Sequence, residues 1–284
     1  MPSPPATPVS AATVVVLRDA PSGLEVLMVR RHEQAGDFAG ASVFPGGLVE
    51  PADADPALAP AKSGFAFERA RRDLGEALAE AETRSLYVAA CRELFEEAGL
   101  LLARAIERPG FERLCAIRSA LQAGTESWRE ALERERCALA LDDLLPFARW
   151  ITPEFQARRW DTRFFLAQAP LGQDAQCDGT ETSEAVWLRP NEALEAYRGG
   201  AHLLAPPTFR VLEELCAFAT VAQAREVLRL AGPPHPILPV ALRGAPVVTM
   251  VYPGDRDYPG ADAQGLNRLS LVDGRWKTER SSAG

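Results

Sequence analysis

Cysteine, histidine and methionine are all scarce: 284 residues hold five cysteines, three histidines and three methionines. Cys91, Cys115, Cys137, Cys177 and Cys216 are widely spaced, odd in number and form no CxxC pair. That excludes a disulfide framework or a thiolate zinc site and leaves reduced, mostly buried thiols. His32, His202 and His235 are too scattered for a catalytic cluster and read as structural or solvated. Long apolar runs are missing as well. Nothing nears the roughly 20 residues that span a bilayer, and the leader "MPSPPATPVSAATVVVLRDA" has no basic region, so neither a membrane partner nor export is expected. With no anchor or address signal in "KTERSSAG", the sequence predicts a cytoplasmic protein. Positive charge is in deficit too, 31 Lys and Arg against 39 Asp and Glu. The net charge of -8 excludes broad affinity for nucleic acid, so any phosphate partner must be held locally or through a cation.

What is present is an ordinary globular composition, 47% hydrophobic and 25% charged. "AATVVVLRD" and "LEVLMVRR" read as two strands around the turn signal "APSG". A Gly- and Pro-rich loop follows, and then a stretch from Ala66 to Ala98 almost free of breakers, which predicts one helix or two in succession. The segment from Phe111 to Arg149 also reads as helical, most clearly in "SWREALERERCALALDDLLPFARW". Strand character returns in "RRWDTRFFLAQAP" and "EAVWLRP", followed by helices around "NEALEAYRGG" and "TFRVLEELCAFATVAQAREVLRLAG". In "HPILPVALRGAPVVTMVYPGD" two apolar runs flank "RGAP" as in a hairpin. The order predicts one elaborated α/β (α+β) domain over residues 1–284. Either a monomer or a homodimer is compatible with it.

Glu93, Glu96 and Glu97 carry the chemistry. Their i, i+3, i+4 spacing puts three carboxylates on about a third of a helix circumference, where uncompensated neighbours repel by a few tenths of a kcal/mol per pair. Solvation on an acidic face is one resolution. A hard divalent cation, Mg²⁺ or Mn²⁺, is the other, since it takes oxygen ligands from carboxylates, phosphates and water.

The run Arg92-Glu93-Leu94-Phe95-Glu96-Glu97-Ala98-Gly99-Leu100 matches the core R-E-U-x-E-E-x-G-U, with U apolar, and resembles the Nudix hydrolase superfamily. Five fixed letters at roughly 6% usage each make a chance match about one in a million per start position. Upstream, Gly47 with Asp53 fits the G-x5-E half of the box with Asp in place of Glu. Between Asp53 and Arg92 stand the 38 residues Ala54 to Cys91, about 31 more than the box allows. Loop and helix are separate elements, and lengthening their connection costs little. With "GASVFPGGLVEPAD", "AACRELFEEAGLLL" and "WITPEFQARRWDTRFFLA", the sequence looks like the Nudix branch that includes an animal peroxisomal coenzyme A diphosphatase with an interrupted box. It carries no peroxisomal carboxyl-terminal tripeptide.

The resemblance implies a mixed β-sheet sandwiched between helices, with an insertion at 54–84 and a helical cap at about 105–149. It implies metal-dependent hydrolysis of a nucleotide-type small molecule in which a nucleoside diphosphate is linked to another moiety. Coenzyme A or acyl-CoA is the first expectation; ADP-ribose, NADH, nucleotide sugars and dinucleoside polyphosphates stay open, as does an inactive nucleotide-sensing module. Glu93, Glu96 and Glu97 map onto the metal-binding glutamates and Gly47 onto a glycine whose carbonyl adds a ligand. Arg92 is expected to steady the carboxylates, and Asp53 is left between structural and catalytic roles. A base or further ligand is expected from Glu181 or Glu184, with Glu184 preferred. Arg30 and Arg31, ending a strand before the glycine loop, and Arg159 or Arg163 are candidates for substrate phosphates. Phe164 is expected in the core.

Overall fold

A computed structural model describes residues 5–33, 39–59, 65–105, 109–179, 181–260 and 262–281. The β-branched run at the start forms strand β1, Val9–Ala20, which turns at Pro21 and Ser22 into β2, Gly23–Arg31. Gly23 opens β2 at φ 118°, a region closed to most side chains, and pairs with Ala20. The Gly/Pro loop yields two short strands, β3 at Ser42–Val43 and β4 at Gly46–Leu48. β3 joins β2, while β4 joins the first half of β1 with Gly47 opposite Ala12.

The long breaker-free stretch is two helices, α1 at Phe67–Leu74 and α2 at Glu80–Ala98. Each stops at a glycine in the left-handed region, Gly75 and Gly99, both at φ 70°. Strand β5, Ala103–Ala105, helix α3, Phe111–Gln122, and helix α4, Trp128–Arg134, come next. There the helical reading overshoots. β6 at Cys137–Leu139 pairs with β5, and β7 at Leu145–Ile151 is a strand of the main sheet. Ala and Leu in "ALALDDLLPFARW" favour a helix intrinsically, but Pro146 cannot sit in a helix interior and β7 buries Ala148 and Trp150 against a neighbouring strand.

β8, Trp160–Gln168, runs parallel to β1 through nine residue pairs, and β9, Thr182–Leu188, runs antiparallel to β2. Then come α5, Pro190–Gly199, α6, Pro206–Leu215, and α7, Val221–Ala231. The segment expected as one helix is therefore two, with the Thr220 side chain capping the second. β10, Pro236–Ile237, adds to the main sheet beside β7. A separate small sheet holds β11, Val240–Ala241, β12, Thr249–Val251, β13, Asn267–Val272, and β14, Arg275–Arg280. The hairpin expected around "RGAP" is present as β11 and β12; the β13–β14 hairpin was not legible beforehand.

The main sheet has the order β10-β7-β8-β1-β2-β3, with β4 also on β1 and β9 also on β2. Helix α2 packs on one face, its Leu94 and Phe95 buried with Val14, Val16 and Phe165 of the sheet. The other face carries Val15, Leu17 and Phe164 against residues of α5 and α6. Phe164 is in the core, as expected. Each such fully buried Leu, Val or Phe contributes about 1.5–3 kcal/mol. This sandwich fixes α2 against β4, which places the Arg92–Glu97 run beside the glycine turn.

Candidate active site

Arg92 is the hub. Its side chain is 7% exposed. Nε and Nη2 donate to the two oxygens of Asp53 at 2.9 and 3.0 Å, and Nη2 also donates to Leu48 O at 2.9 Å. Nη1 donates to Glu93 Oε1 at 2.8 Å and Glu96 Oε2 at 3.1 Å. Burial works to lower the guanidinium pKa, but the Asp53 hydrogen bond and the charges of Glu93, Asp53 and Glu96 outweigh it and hold the pKa well above the ordinary range. Asp53 is itself buried and accepts Glu50 N–H at 2.8 Å. With Arg92 it forms a fork-to-fork clamp that pins helix α2 to the turn after β4, across the interruption in the box.

The three carboxylates crowd the space between helix and turn. Burial pushes Glu93 up to about 7 against the pull of Arg92, and pushes Glu97 up to about 8 against the pull of a Gly46 hydrogen bond. Glu96 is raised as well, first by burial, with Arg92 and Trp128 opposing. Gly46 N–H donates to Glu97 Oε2 at 3.0 Å, and Trp128 Nε1 approaches Glu96 Oε1 at 3.4 Å. A Cβ on Gly47 would lie 2.5 to 2.7 Å from the Glu93 carboxyl group, so glycine is what lets the strand come this close. Among the described residues no three His, Cys, Asp or Glu side chains are gathered into a ready cation cage. Arg92 holds an oxygen of both Glu93 and Glu96, and Gly46 holds one of Glu97. The donor set nevertheless suits a hard divalent cation: three acceptor-only oxygen ligands, crowded and buried enough that at least two resist ionising alone.

The remaining candidates separate by sheet face. Val29 belongs to the core under α2 and Met28 to the opposite core, so Arg31 shares the face of α2 and Arg30 points to the other side. Arg31 lies close enough to pull the Glu97 pKa down, and its Nε is buried without a partner. On β9, Ala185 and Trp187 pack under α2 while Val186 packs on the far face, and Glu184, paired with Arg30, goes with Val186. Glu184, preferred on sequence, is thus directed away from the site, and Arg30 with it. Glu181 instead stands near enough to raise both Glu93 and Glu97. The bulge that pairs Arg31 with Thr182 and leaves Ser183 unpaired lies beyond Glu184 and plays no part in turning it away. Glu184 is an odd three residues from Trp187 and Glu181 an even six, so period-two alternation already separates the two.

Arg159 and Arg163 are not at the site either. Arg159 is buried and donates to Thr152 O and Ala6 O. Arg163 is closed into an ion-pair cluster with Glu76 and Asp161. Both are committed to holding strands and the insertion together. Residues missed beforehand come from the cap: Trp128, and Arg118, whose guanidinium donates to Glu96 O. Glu50, 3.9 Å from Arg92, was missed too. None of the three belongs to a local pattern.

A helix of paired Arg and Glu locked to a glycine-bearing strand on a mixed, helix-flanked sheet is the arrangement of the Nudix hydrolases, pyrophosphohydrolases that generally act with divalent metal ions. The chain belongs to the NUDT19 Nudix domain family, which it matches over residues 55–215. It is 31% identical to a protein of Gallus gallus named acyl-coenzyme A diphosphatase NUDT19, over 88% of this chain and 77% of that one. The Homo sapiens protein of the same name is 27% identical, over 83% and 72% respectively. Among solved structures, a NUDIX hydrolase from Alicyclobacillus acidocaldarius superposes with a TM-score of 0.59 at 29% identity, covering 78% of this chain and 96% of that one. No helix among the described residues is long and apolar enough to cross a membrane.

Proposed function

We propose that the chain is a Mg²⁺- or Mn²⁺-dependent diphosphatase of coenzyme A or acyl-CoA, releasing 3′,5′-ADP and phosphopantetheine or its acyl form. The observation that carries the substrate is the likeness, over most of the chain, to relatives named acyl-coenzyme A diphosphatases. The reaction adds water across one P–O bond of the diphosphate. Water oxygen joins one phosphorus, the bridging oxygen leaves with the other, and one water proton must be accepted.

Glu93, Glu96 and Glu97, with the carbonyl of Gly47, would hold the cation. When bound it supplies charge neutralisation on the phosphates and makes water more acidic. Arg92 holds one oxygen of Glu93 and one of Glu96 and so restrains both side chains, and Asp53 fixes Arg92. The Glu181 carboxylate, set against Glu93 and Glu97, accepts the proton of the attacking water. Arg31, with its unpartnered buried Nε, binds a phosphate oxygen.

The test is incubation of purified protein with coenzyme A and Mg²⁺ or Mn²⁺, with products resolved by chromatography. Both halves should appear, and EDTA should abolish them. If another pyrophosphate is cut efficiently while neither half of coenzyme A forms, the substrate is wrong. A panel compared by kcat/KM then identifies the true one.

A further inference from the structure

The last carbonyls of a helix have no partner within it. In α2 these belong to Glu96, Glu97 and Ala98, and none is left to water. Glu96 O accepts Arg118 Nε at 2.8 Å and Nη2 at 2.5 Å. Glu97 O lies 3.2 Å from Thr182 Oγ1, whose single proton it shares with Asp178 Oδ1 at 2.9 Å, and Ala98 O accepts Gln176 N–H at 2.9 Å. Arg118 comes from the cap helix α3; Gln176 and Thr182 come from the segment that carries Glu181. The remaining nitrogen of Arg118 ties the two together, Nη1 donating to Gln176 O at 2.9 Å and Cys177 O at 3.2 Å.

The segment is also tied at its two ends, to Leu101 before it and to β2 where Thr182 pairs with Arg31. Gln173 brackets Leu101 with two side-chain bonds, and Asp178 accepts Glu181 N–H and Thr182 N–H in a tight local turn. His32 N–H donates to Glu181 O, extending the β2–β9 ladder by one bond. The position of Glu181 relative to Glu93 and Glu97 is therefore set jointly, from β2 and from the end of the same helix that carries them. Arg118 is buried, and desolvation lowers its pKa, with the charge of Asp178 opposing. It also sets a cation against the negative end of the helix dipole. A planar fork that serves both the helix end and the segment is a task that lysine's single ammonium cannot reproduce.

We propose that Arg118 is a positioning residue through which the helical cap holds Glu181 in register with the carboxylates of α2, with Thr182 as the second tie. This rests on the role given to Glu181 above. The cap would then act on the chemical step and not only on substrate access.

The test uses R118A, T182V and E181Q, singly and in pairs, with steady-state kinetics and amide hydrogen exchange. Displacing a reacting group by a fraction of its hydrogen-bond length is expected to lower kcat roughly tenfold or more in R118A and T182V while KM stays within about twofold. Amides of 176–179, 181 and 182 should exchange faster in both. Adding R118A to E181Q should cost little further, because the group it positions is already gone. If the two losses multiply, or only KM moves, or exchange is unchanged, Arg118 does not act through Glu181. If E181Q alone keeps full kcat, the role of Glu181 falls, and this coupling falls with it. T182V also removes the hydroxyl's bonds to Asp178, so R118K, which keeps the charge and stem but not the fork, carries the test where R118A does not fold and should show the same loss of kcat.

Discussion

A methyl group at residue 46 would land 2.6 Å from Ala12 O and 2.7 Å from the Thr13 Cα, both backbone atoms of β1 that cannot give way without breaking a strand pair. One residue on, the same methyl would meet only the far end of the Glu93 side chain. The two glycines therefore have separable duties. Gly46→Ala is expected to lower Tm, by an overpacking cost of about 1–3 kcal/mol. Gly47→Ala is expected to melt near the parent temperature while kcat falls, since Glu93 must swing away from its place. Melting curves beside kcat for the pair check this, and equal thermal losses would contradict it. Glu97→Gln keeps an oxygen for the Gly46 N–H and loses the charge. It should leave circular dichroism unchanged and cut kcat by roughly 10² or more if Glu97 holds the cation.

At the scale of elements, the insertion between Asp53 and α2 buries Leu58, Ala70 and Leu74 in the core and adds an ionic tie through one residue. Glu76, just past α1, bridges Arg163 at 2.7 Å and Arg149 at 2.8 Å, so the extra segment is tied to strands β7 and β8. Removing it leaves the nearly buried Arg163 leaning on Asp161 alone. Glu76→Ala is expected to cost on the order of 3 kcal/mol, the low end for a broken buried pair because one partner remains. Chemical denaturation reads it, and a loss below about 0.5 kcal/mol would place the pair among surface bridges. Such ties also mark where sequence reasoning ran out. The spacing of Glu93, Glu96 and Glu97 and the stop at Gly99 are local, and so were legible. The duties of Arg159, Arg163, Arg118 and Trp128 depend on partners tens of residues away in the chain, and no spacing rule reports them. β7 was mistaken for helix because its Ala and Leu content outweighed one proline. Glu184 is excluded by period-two alternation once Trp187 is known to face α2, and it is that facing, set by the tertiary packing of β9, which the sequence does not announce.

The whole molecule inherits a pH dependence from the crowding at α2. Burial moves Glu97 from the ordinary carboxyl value of 4.5 up to about 8, and Glu93 from 4.5 up to about 7. A carboxyl group with a raised pKa binds its proton more tightly folded than unfolded. Its stabilising contribution is therefore complete below about pH 4.5 and is lost as pH rises through about 7 to 8. In EDTA, Tm should fall between pH 5 and pH 8.5. Asp255 works the other way: burial raises its carboxyl, but hydrogen bonds from Arg268, Asn267 and Asp257 overcome this and lower it. Its contribution is complete above the ordinary carboxyl value of 3.8 and is lost only as pH falls below it, which leaves that window untouched. A divalent cation that binds the ionised carboxylates should reverse the slope, because its affinity grows as the protons leave and it binds only the folded arrangement. The increment in Tm on adding Mn²⁺ should accordingly widen from pH 5 to pH 8.5, and Glu97→Gln should flatten both the EDTA slope and the increment. A Mn²⁺ increment independent of pH would mean that the cation is held elsewhere than on these glutamates.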